Sequence, residues 1–373
     1  MEFAELYFSV VVTTRNRPAL LRRALASVLR QSCSRFEIVV VEDGSLPEFA
    51  SEYEAIAREL GPIVQVFRLP ASQGGSGPSR PRNHALAHCK GEFIAFLDDD
   101  DEWTDSEYLS TAAHALAENP ECDLHFMNQQ AVSADGTVLT RSIWIEDLAD
   151  KLGGSGFAAR VVSPSDLLRS DGFCHLNTSI LRRSMLQTTL GGFDEALLYE
   201  EDRDLYLRAI EAARCIIYNA RVVARHHVPD PKRRGSASNG LTLNERAAFR
   251  IQVLDKAMSR TKQQVIYHHC RRLKGYALKH AATSEAALGN LDASYRYAVA
   301  GLATGFSCKW LAFVGWIWLR RKLTPLGRPG GLHGSLPSPQ PRRLQGNGGL
   351  SDRPVVPDGS VLDGEAPASK LAA

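Results

Sequence analysis

The stretch Glu92-Phe-Ile-Ala-Phe-Leu97 runs directly into Asp98-Asp99-Asp100-Asp101. The apolar part has strand length and does not alternate with polar residues, the pattern of a strand buried on both faces. Four successive carboxylates at its end repel one another unless a cation or hydrogen-bond donors compensate. Hard oxygen donors suit Mg²⁺ or Mn²⁺, which takes one or two carboxylates together with substrate phosphates. The plainer reading is a solvated acidic turn, with Asp105 or Ser106 capping the next helix.

Working outward, Phe8–Thr14 is a β-branched run, and Leu20, Leu21, Ala24, Leu25 and Val28 follow at helical spacing. A second strand, Phe36–Val41, ends at Glu42-Asp43-Gly44-Ser45. The pattern then predicts a helix over 48–60, a strand at Ile63–Leu69, a glycine-rich loop from Gln73 to Ser79 and a helix near 81–89. Strands alternating with helices imply a mostly parallel, doubly wound α/β sheet. Ligands of such sheets lie beyond the carboxyl ends of the strands, at the switch in strand order. The candidates are therefore the residues after the first, second and fourth strands.

After the first strand stands Thr13-Thr14-Arg15-Asn16, a set of polar groups or only a strand-to-helix cap. Asp43 could accept the ring N–H of a uracil-like base, although Asp-Gly is also a common turn. Ser79-Arg80-Pro81-Arg82-Asn83 opens a helix, where basic side chains and free N–H groups attract phosphate. Its loop has neither G-x-G-x-x-G nor the Gly-Lys-Ser/Thr of a P-loop, which argues against a dinucleotide or NTPase motif. Farther on, Gly191-Gly192-Phe193-Asp194-Glu195 precedes Tyr199-Glu200-Glu201-Asp202-Arg203-Asp204-Leu205-Tyr206-Leu207-Arg208. Acidic residues in a first helical turn favour the helix dipole. They would equally serve as a general base near a substrate hydroxyl.

These motifs, in this order over about residues 8–227, resemble the family 2 glycosyltransferases of the GT-A fold. The resemblance implies a nucleotide-sugar donor, Mg²⁺ or Mn²⁺, and inversion at the anomeric centre. By position it makes Asp43 the base-reading carboxylate, with Thr13 and Arg15 beside the nucleotide and Arg82 on the phosphate side. Asp98 and Asp100 match the ends of the D-x-D motif, Asp98 toward the nucleotide and Asp100 as metal ligand. Asp202 takes the place of the catalytic base, and His226 of a metal- or phosphate-side histidine. The family usually carries Asp where this chain has Glu42, and proline where Asp105 stands; neither touches the implied ligands.

The remaining sequence bounds this expectation. The chain has 373 residues and a formal net charge of +2, which gives no global reason to expect nucleic acid as a partner. That small total hides asymmetry, because 221–274 holds 13 Lys and Arg against three acids. Such a segment is either a solvated helical face or an attraction to anionic phospholipid or a lipid-linked diphosphate. Seven widely spaced cysteines, without a C-x-x-C pair, predict reduced thiols and a cytoplasmic setting. The apolar run Trp310–Leu319 has 10 residues, about half of what a bilayer span takes. It reads as a core helix or as an anchor at the inner face of a membrane. The Pro- and Gly-rich 325–373 predicts a disordered tail.

The expected organisation is a catalytic domain over 1–229, a basic α-helical region over 230–324 and the tail. The region 123–190, with Trp144 either stacking on a sugar or packed in the core, is expected to face a saccharide or lipid-linked acceptor. Arg233-Arg234-Gly235-Ser236 could form a lid over the donor. The expected function is metal-assisted glycosyl transfer in polysaccharide or glycolipid biosynthesis. A non-catalytic nucleotide-sugar-binding homologue would lack one of the two carboxylate motifs, and a sugar nucleotidyltransferase would carry glycines after the first strand.

Overall fold

The computed structural model describes residues 6–70, 75–133, 136–139, 144–153, 158–228 and 241–323. The expected tail at 325–373 and the expected lid at 233–236 lie outside them.

Four strands make the parallel half of the sheet: β1 (Phe8–Thr14), β2 (Phe36–Glu42), β3 (Val64–Arg68) and β4 (Phe93–Asp98). Helices α1 (Pro18–Leu29), α2 (Ala50–Leu60) and α3 (Ser79–His88) connect them. Proline at the first position of α1 fits a site whose N–H has no helical partner, and its stripe Leu21, Ala24, Leu25 and Val28 is buried. Beyond β4 come the short β5 (Glu102–Trp103), α4 (Tyr108–Glu118), β6 (Leu124–Val132), α5 (Leu148–Lys151), β7 (Arg160–Val162) and α6 (Pro164–Leu167). Then follow β8 (Ser179–Arg182), α7 (Glu201–Ala212) and β9 (Ile216–His227).

The sheet order is β3-β2-β1-β4-β8-β6-β9-β5, with β7 on β9. Every pairing longer than three residues is parallel; the pairings of β8, β5 and β7 are short and antiparallel. The strand order reverses between β1 and β4, so the crevice opens beyond Thr13 and Asp98, which are register partners. A side chain at Gly91, just before β4, would collide with the backbone of Phe8 and Ser9. That close approach lets β4 enter beside β1 in the register that aligns Thr13 with Asp98.

Apolar layers cover both faces. One holds Val10, Val12, Ile38 and Val40 under α1, α2 and α4, around the fully buried Trp103. The other holds Val11, Val39 and Phe96 under α3 and α7. Phe249, Val253 and Leu254 of α8 (Leu243–Arg260), with Ile266 and Cys270 of α9 (Gln264–Ala287), join this second layer. The start of the helical region therefore shares the core of the sheet. Helix α9 turns back into α10 (Leu291–Thr304), and α11 (Cys308–Leu323) packs against this pair through Trp310, Phe313 and Val314.

One expectation is corrected here, and one of two open readings is set aside. Cys122 and Cys215 form a disulfide, with Cα atoms 4.2 Å apart, while the other five cysteines are free. The parallel pairing of β6 with β9 brings their first residues together, and the Asp123 N–H donates to the Cys215 carbonyl at 3.0 Å. A contact made across 93 residues leaves no local spacing to read, so cysteine spacing no longer argues for a compartment. In α11, Ile317 alone is buried among its described residues, so the run 310–319 is not a core helix. No helix among the described residues is long and apolar enough to cross a membrane.

Candidate active site

The carboxyl ends of β2, β1 and β4 place Asp43, Thr13 and Asp98 side by side along the crevice. On the β2 side, buried Asp43 accepts from the Ser76 backbone N–H at 2.8 Å and from its hydroxyl. Gly75 has φ +79, and a Cβ on it would lie 2.7 Å from the Asp43 carboxylate and 3.0 Å from Arg15. Only glycine lets the loop come so near, and it gathers Arg15, Asp43 and Ser76 at one point. Asn16, at φ 56, ties the two strand ends together: its N–H donates to the Ser45 hydroxyl and its Oδ1 accepts from the Leu46 N–H.

On the β4 side the four aspartates part company. Asp98 accepts from Arg82 at 2.8 Å, while its own N–H donates to Asn177 Oδ1 at 2.9 Å. Asp99 is buried; it accepts from the Thr14 hydroxyl at 2.7 Å and pairs with Arg17 at 3.2 Å. Asp100 remains partly exposed and pairs with Arg17 at 2.8 Å. Asp101 is wholly buried and receives Asn177 Nδ2, the His226 ring at 2.7 Å and the His227 N–H at 2.8 Å.

The electrostatics follow this division. Burial raises Asp99 to about 7 although Arg17 pulls the other way, and burial with Asp101 and Asp98 raises Asp100. Burial opposes the charge on Asp101 too, but His226 outweighs it and holds that carboxyl well below its usual range. His226 is raised to about 9, the Asp101 pair overcoming its desolvation. The strand end thus disfavours the ionised forms of Asp99 and Asp100, which share Arg17, while Asp101 is kept ionised by its partners.

Arg82 links the two carboxylate motifs. It is 7% exposed and donates to Asp98 and, at 2.7 Å, to Glu201 in the first turn of α7. These two partners keep it charged despite burial. Asn83 fastens the start of α3 to the Phe193 N–H and carbonyl, and Arg208 holds the Leu190 and Gly192 carbonyls. Gly191–Glu195 is thereby a latch between α3 and α7 that sets where Arg82 meets Glu201.

Asp202 is half-buried, borders a small cavity lined by Phe126, Leu176, Leu205 and Tyr206, and accepts from the Arg203 N–H at 2.7 Å. Burial, then the nearby Glu200, raises it to about 6; burial and Asp202 raise Glu201 to about 7. Glu200 precedes α7 at φ 66, a conformation that costs a non-glycine residue energy. Its carboxylate is buried between Arg203 and, at 2.6 and 2.8 Å, Arg250 of α8.

The structure therefore connects Arg82, Asp98, Asp101 and His226 through shared partners, with Asp202 beside Glu201. Asp43, Thr13 and Arg15 lie along the neighbouring strand ends. His226 touches Asp101 rather than Asp100. Trp144 is a buried residue, packed edge-on against His175 and His226. Arg17, Asn177 and Arg250 are contributors that the sequence did not single out. Asn177 lies in a stretch flagged only as acceptor-facing, and Arg250 in a charge run. Several cations of that run meet acids of the sheet region: Arg221 with Asp105, Arg225 with Glu102, Lys256 with Asp194 and Arg272 with Asp171.

Residues 9–183 match the family described as glycosyl transferase family 2. Over 113 residues the chain is 33% identical to the succinoglycan biosynthesis protein ExoW of Rhizobium meliloti, covering 30% of this chain and 35% of that protein. Over 131 residues it is 33% identical to the poly(ribitol-phosphate) beta-N-acetylglucosaminyltransferase TarS of Staphylococcus aureus, covering 35% of this chain and 22% of that one. The chain thus spans roughly a fifth to a third of these relatives' length. The solved structure of TarS 1–349 in complex with UDP-GlcNAc superposes with a TM-score of 0.59 at 21% identity, over 83% of this chain and 84% of that one. A mannosyltransferase from Pyrobaculum calidifontis, in complex with GDP-Man and Mn²⁺, superposes at 0.53 and 21% identity over 84% of each chain. These likenesses establish the fold.

Proposed function

Because the chain belongs to glycosyl transferase family 2 through its domain at residues 9–183, we propose that it moves a sugar from a nucleoside-diphosphate donor to an acceptor hydroxyl. The observation that carries this reading is the Asp98–Arg82–Glu201 chain, which brings both carboxylate motifs to one crevice at the switch in strand order. Asp43, with Arg15 and Thr13 beside it, would receive the base, and Asp98 the ribose side of the nucleotide. Arg82 would exchange part of its carboxylate pairing for the diphosphate, a bidentate acceptor of similar geometry.

The donor set fits a hard divalent ion. Its groups are oxygens, Asp98 and Asp100 are its partly exposed members, and a cation would favour the ionised forms that burial and mutual repulsion disfavour at Asp99 and Asp100. Mg²⁺ or Mn²⁺ held at Asp100 would offset the charge developing on the diphosphate. His226 is a further candidate ligand only after losing the proton that its pair with Asp101 favours, and the ring nitrogen that Asp101 does not engage would then be the donor.

Asp202 would take the proton of the acceptor hydroxyl as that oxygen attacks the anomeric carbon from the face opposite the diphosphate. The C–O bond to the leaving group breaks, and the nucleoside diphosphate departs with the pair of electrons. The sugar is inverted without a covalent enzyme intermediate. A carboxyl raised to about 6 is largely ionised near neutrality yet more basic than an ordinary aspartate, as a general base requires. We assign the acceptor to a saccharide or lipid-linked saccharide of polysaccharide or glycolipid biosynthesis. This goes with a cytoplasmic protein attached to the inner face of the membrane and with no nucleic-acid partner. The test is a panel of nucleotide-sugars with Mg²⁺ or Mn²⁺, scored for nucleoside-diphosphate release. Release from one donor class is the expected result, and none from any donor, even with membrane extract as acceptor, would reject it.

A further inference from the structure

Helix α11 is apolar on two opposite sides. One side packs on α10. On the other, Leu311, Trp316, Trp318 and Leu319 are each 47–49% exposed and Leu323 is 70% exposed. Leu311 and Trp318 are seven residues apart, and Trp316, Leu319 and Leu323 follow at spacings of three and four, so these side chains form contiguous rows. Single exposed hydrophobic residues need no explanation; a contiguous patch with two tryptophans does.

The charge around this face is mainly positive, with Arg321 paired to Asp292 of α10. Helix α11 has no acidic residue, and Lys309, Arg320, Arg321 and Lys322 bracket its uncharged stretch. From Gln264 to Leu323 there are nine Lys and Arg against Glu285 and Asp292. Beside the start of α11, a cleft of about 320 Å³ lies between α9 and the turn at 304–306, with Arg271, Lys279, Tyr276 and Phe306 in its wall. Phe306, 70% exposed, joins the cleft to the helix, and Lys279 stands over the ring of Trp310.

Three kinds of occupant could cover an apolar face, and the charge distinguishes them. A second copy laid on the same face would set these cations against themselves, which costs like-charge repulsion at the rim. A neutral apolar partner would leave the bracket of cations unused. An anionic bilayer satisfies both features, since acyl chains take the apolar rows, tryptophans suit the headgroup boundary and lysine or arginine meets lipid phosphate. At 16 residues the helix is about 24 Å long, and it would lie in the interface rather than cross.

We propose that the exposed face of α11, together with the basic cleft at Arg271 and Lys279, is a docking surface for an anionic phospholipid bilayer. This deepens the peripheral attachment proposed above and rests on it for its setting. Docking is read without donor or acceptor, so its failure and that of the transfer reading are separate results.

The experiment is sedimentation of the full chain with vesicles of phosphatidylcholine alone or mixed with phosphatidylglycerol, alongside tryptophan emission. Binding to the anionic vesicles is expected, with a blue shift, and weakening as salt rises. Replacing both exposed indoles, Trp316→Ser with Trp318→Ser, should lower partitioning by more than about tenfold. Lys279→Gln and Lys322→Gln should each lower it by about fivefold, the worth of about 1 kcal/mol per cation near the surface. All variants should keep the wild-type melting profile and donor turnover, because none belongs to the crevice. Equal binding to both vesicle types, no binding to either, or unchanged binding of the doubly substituted variant would overturn the proposal. So would a concentration-dependent dimer that the tryptophan substitutions abolish while vesicles are ignored.

Discussion

Asp202 stands in the first turn of α7, where a helix dipole would normally favour its charge, yet burial and the neighbouring Glu200 raise it. A base works in its deprotonated form, so transfer should increase as pH rises through about 6 and fall away below. Replacing it, Asp202→Asn, keeps the shape of the side chain and removes its basicity; the expected loss is about 10²–10⁴-fold in turnover. The aspartate run shows a different division of labour. Asp101 is fully buried and held by His226 and Asn177, so Asp101→Ala should destabilise the fold by about 3 kcal/mol. For Asp100→Ala, thermal melting should barely change while metal-dependent donor binding, followed by calorimetry, is lost. At this scale the sequence was informative about which residues cluster, because strand ends and carboxylates are local signals. It was silent on which aspartate is structural, since that depends on His226 and Asn177, which arrive from distant segments.

Helices and loops explain how these residues are held. The alternation of strands and helices over the first hundred residues was legible because each element carries its own periodicity, and the observed bounds differ by only a few residues. Gly191–Glu195 was visible as a motif, but its role as a latch requires Asn83 and Arg208 to fold against it. The basic segment is the clearest case of a pattern with a hidden counterpart. Read alone it suggested solvent or phospholipid, whereas Arg250 reaches the carboxylate that starts α7 and Lys256 pairs with Asp194. Removing the guanidinium, Arg250→Met, leaves Glu200 buried with Arg203 as its remaining partner. A loss of about 2 kcal/mol is expected, measured by denaturant unfolding. Turnover should fall with it, because the first turn of α7 carries Asp202. Undiminished stability would show that α8 does not brace that turn.

Over the whole molecule, three buried histidines weaken the fold as pH falls. His125 lies in β6, fully buried, with neither ring nitrogen hydrogen-bonded among the described residues, and burial lowers it to about 3. Burial likewise lowers His175 and His269 to about 4. A depressed histidine binds its proton in the unfolded chain first, so stability is full above about 6.5 and declines as pH falls toward the folded value. From about pH 6.5 to 5, His125 alone should cost about 2 kcal/mol, and His125→Phe should flatten that part of the pH–stability curve. The near-zero net charge described none of this: it averages an acidic crevice and a basic helical region that are partly paired with each other. The central claim is that this crevice transfers sugar with Asp202 as its base. It is tested most directly by comparing wild type and Asp202→Asn, with Mn²⁺ and the donor that wild type turns over, for calorimetric donor affinity and for glycosylated product. The expected result is equal affinity with product formed by wild type alone; product from the variant, or loss of donor binding in it, would contradict the assignment.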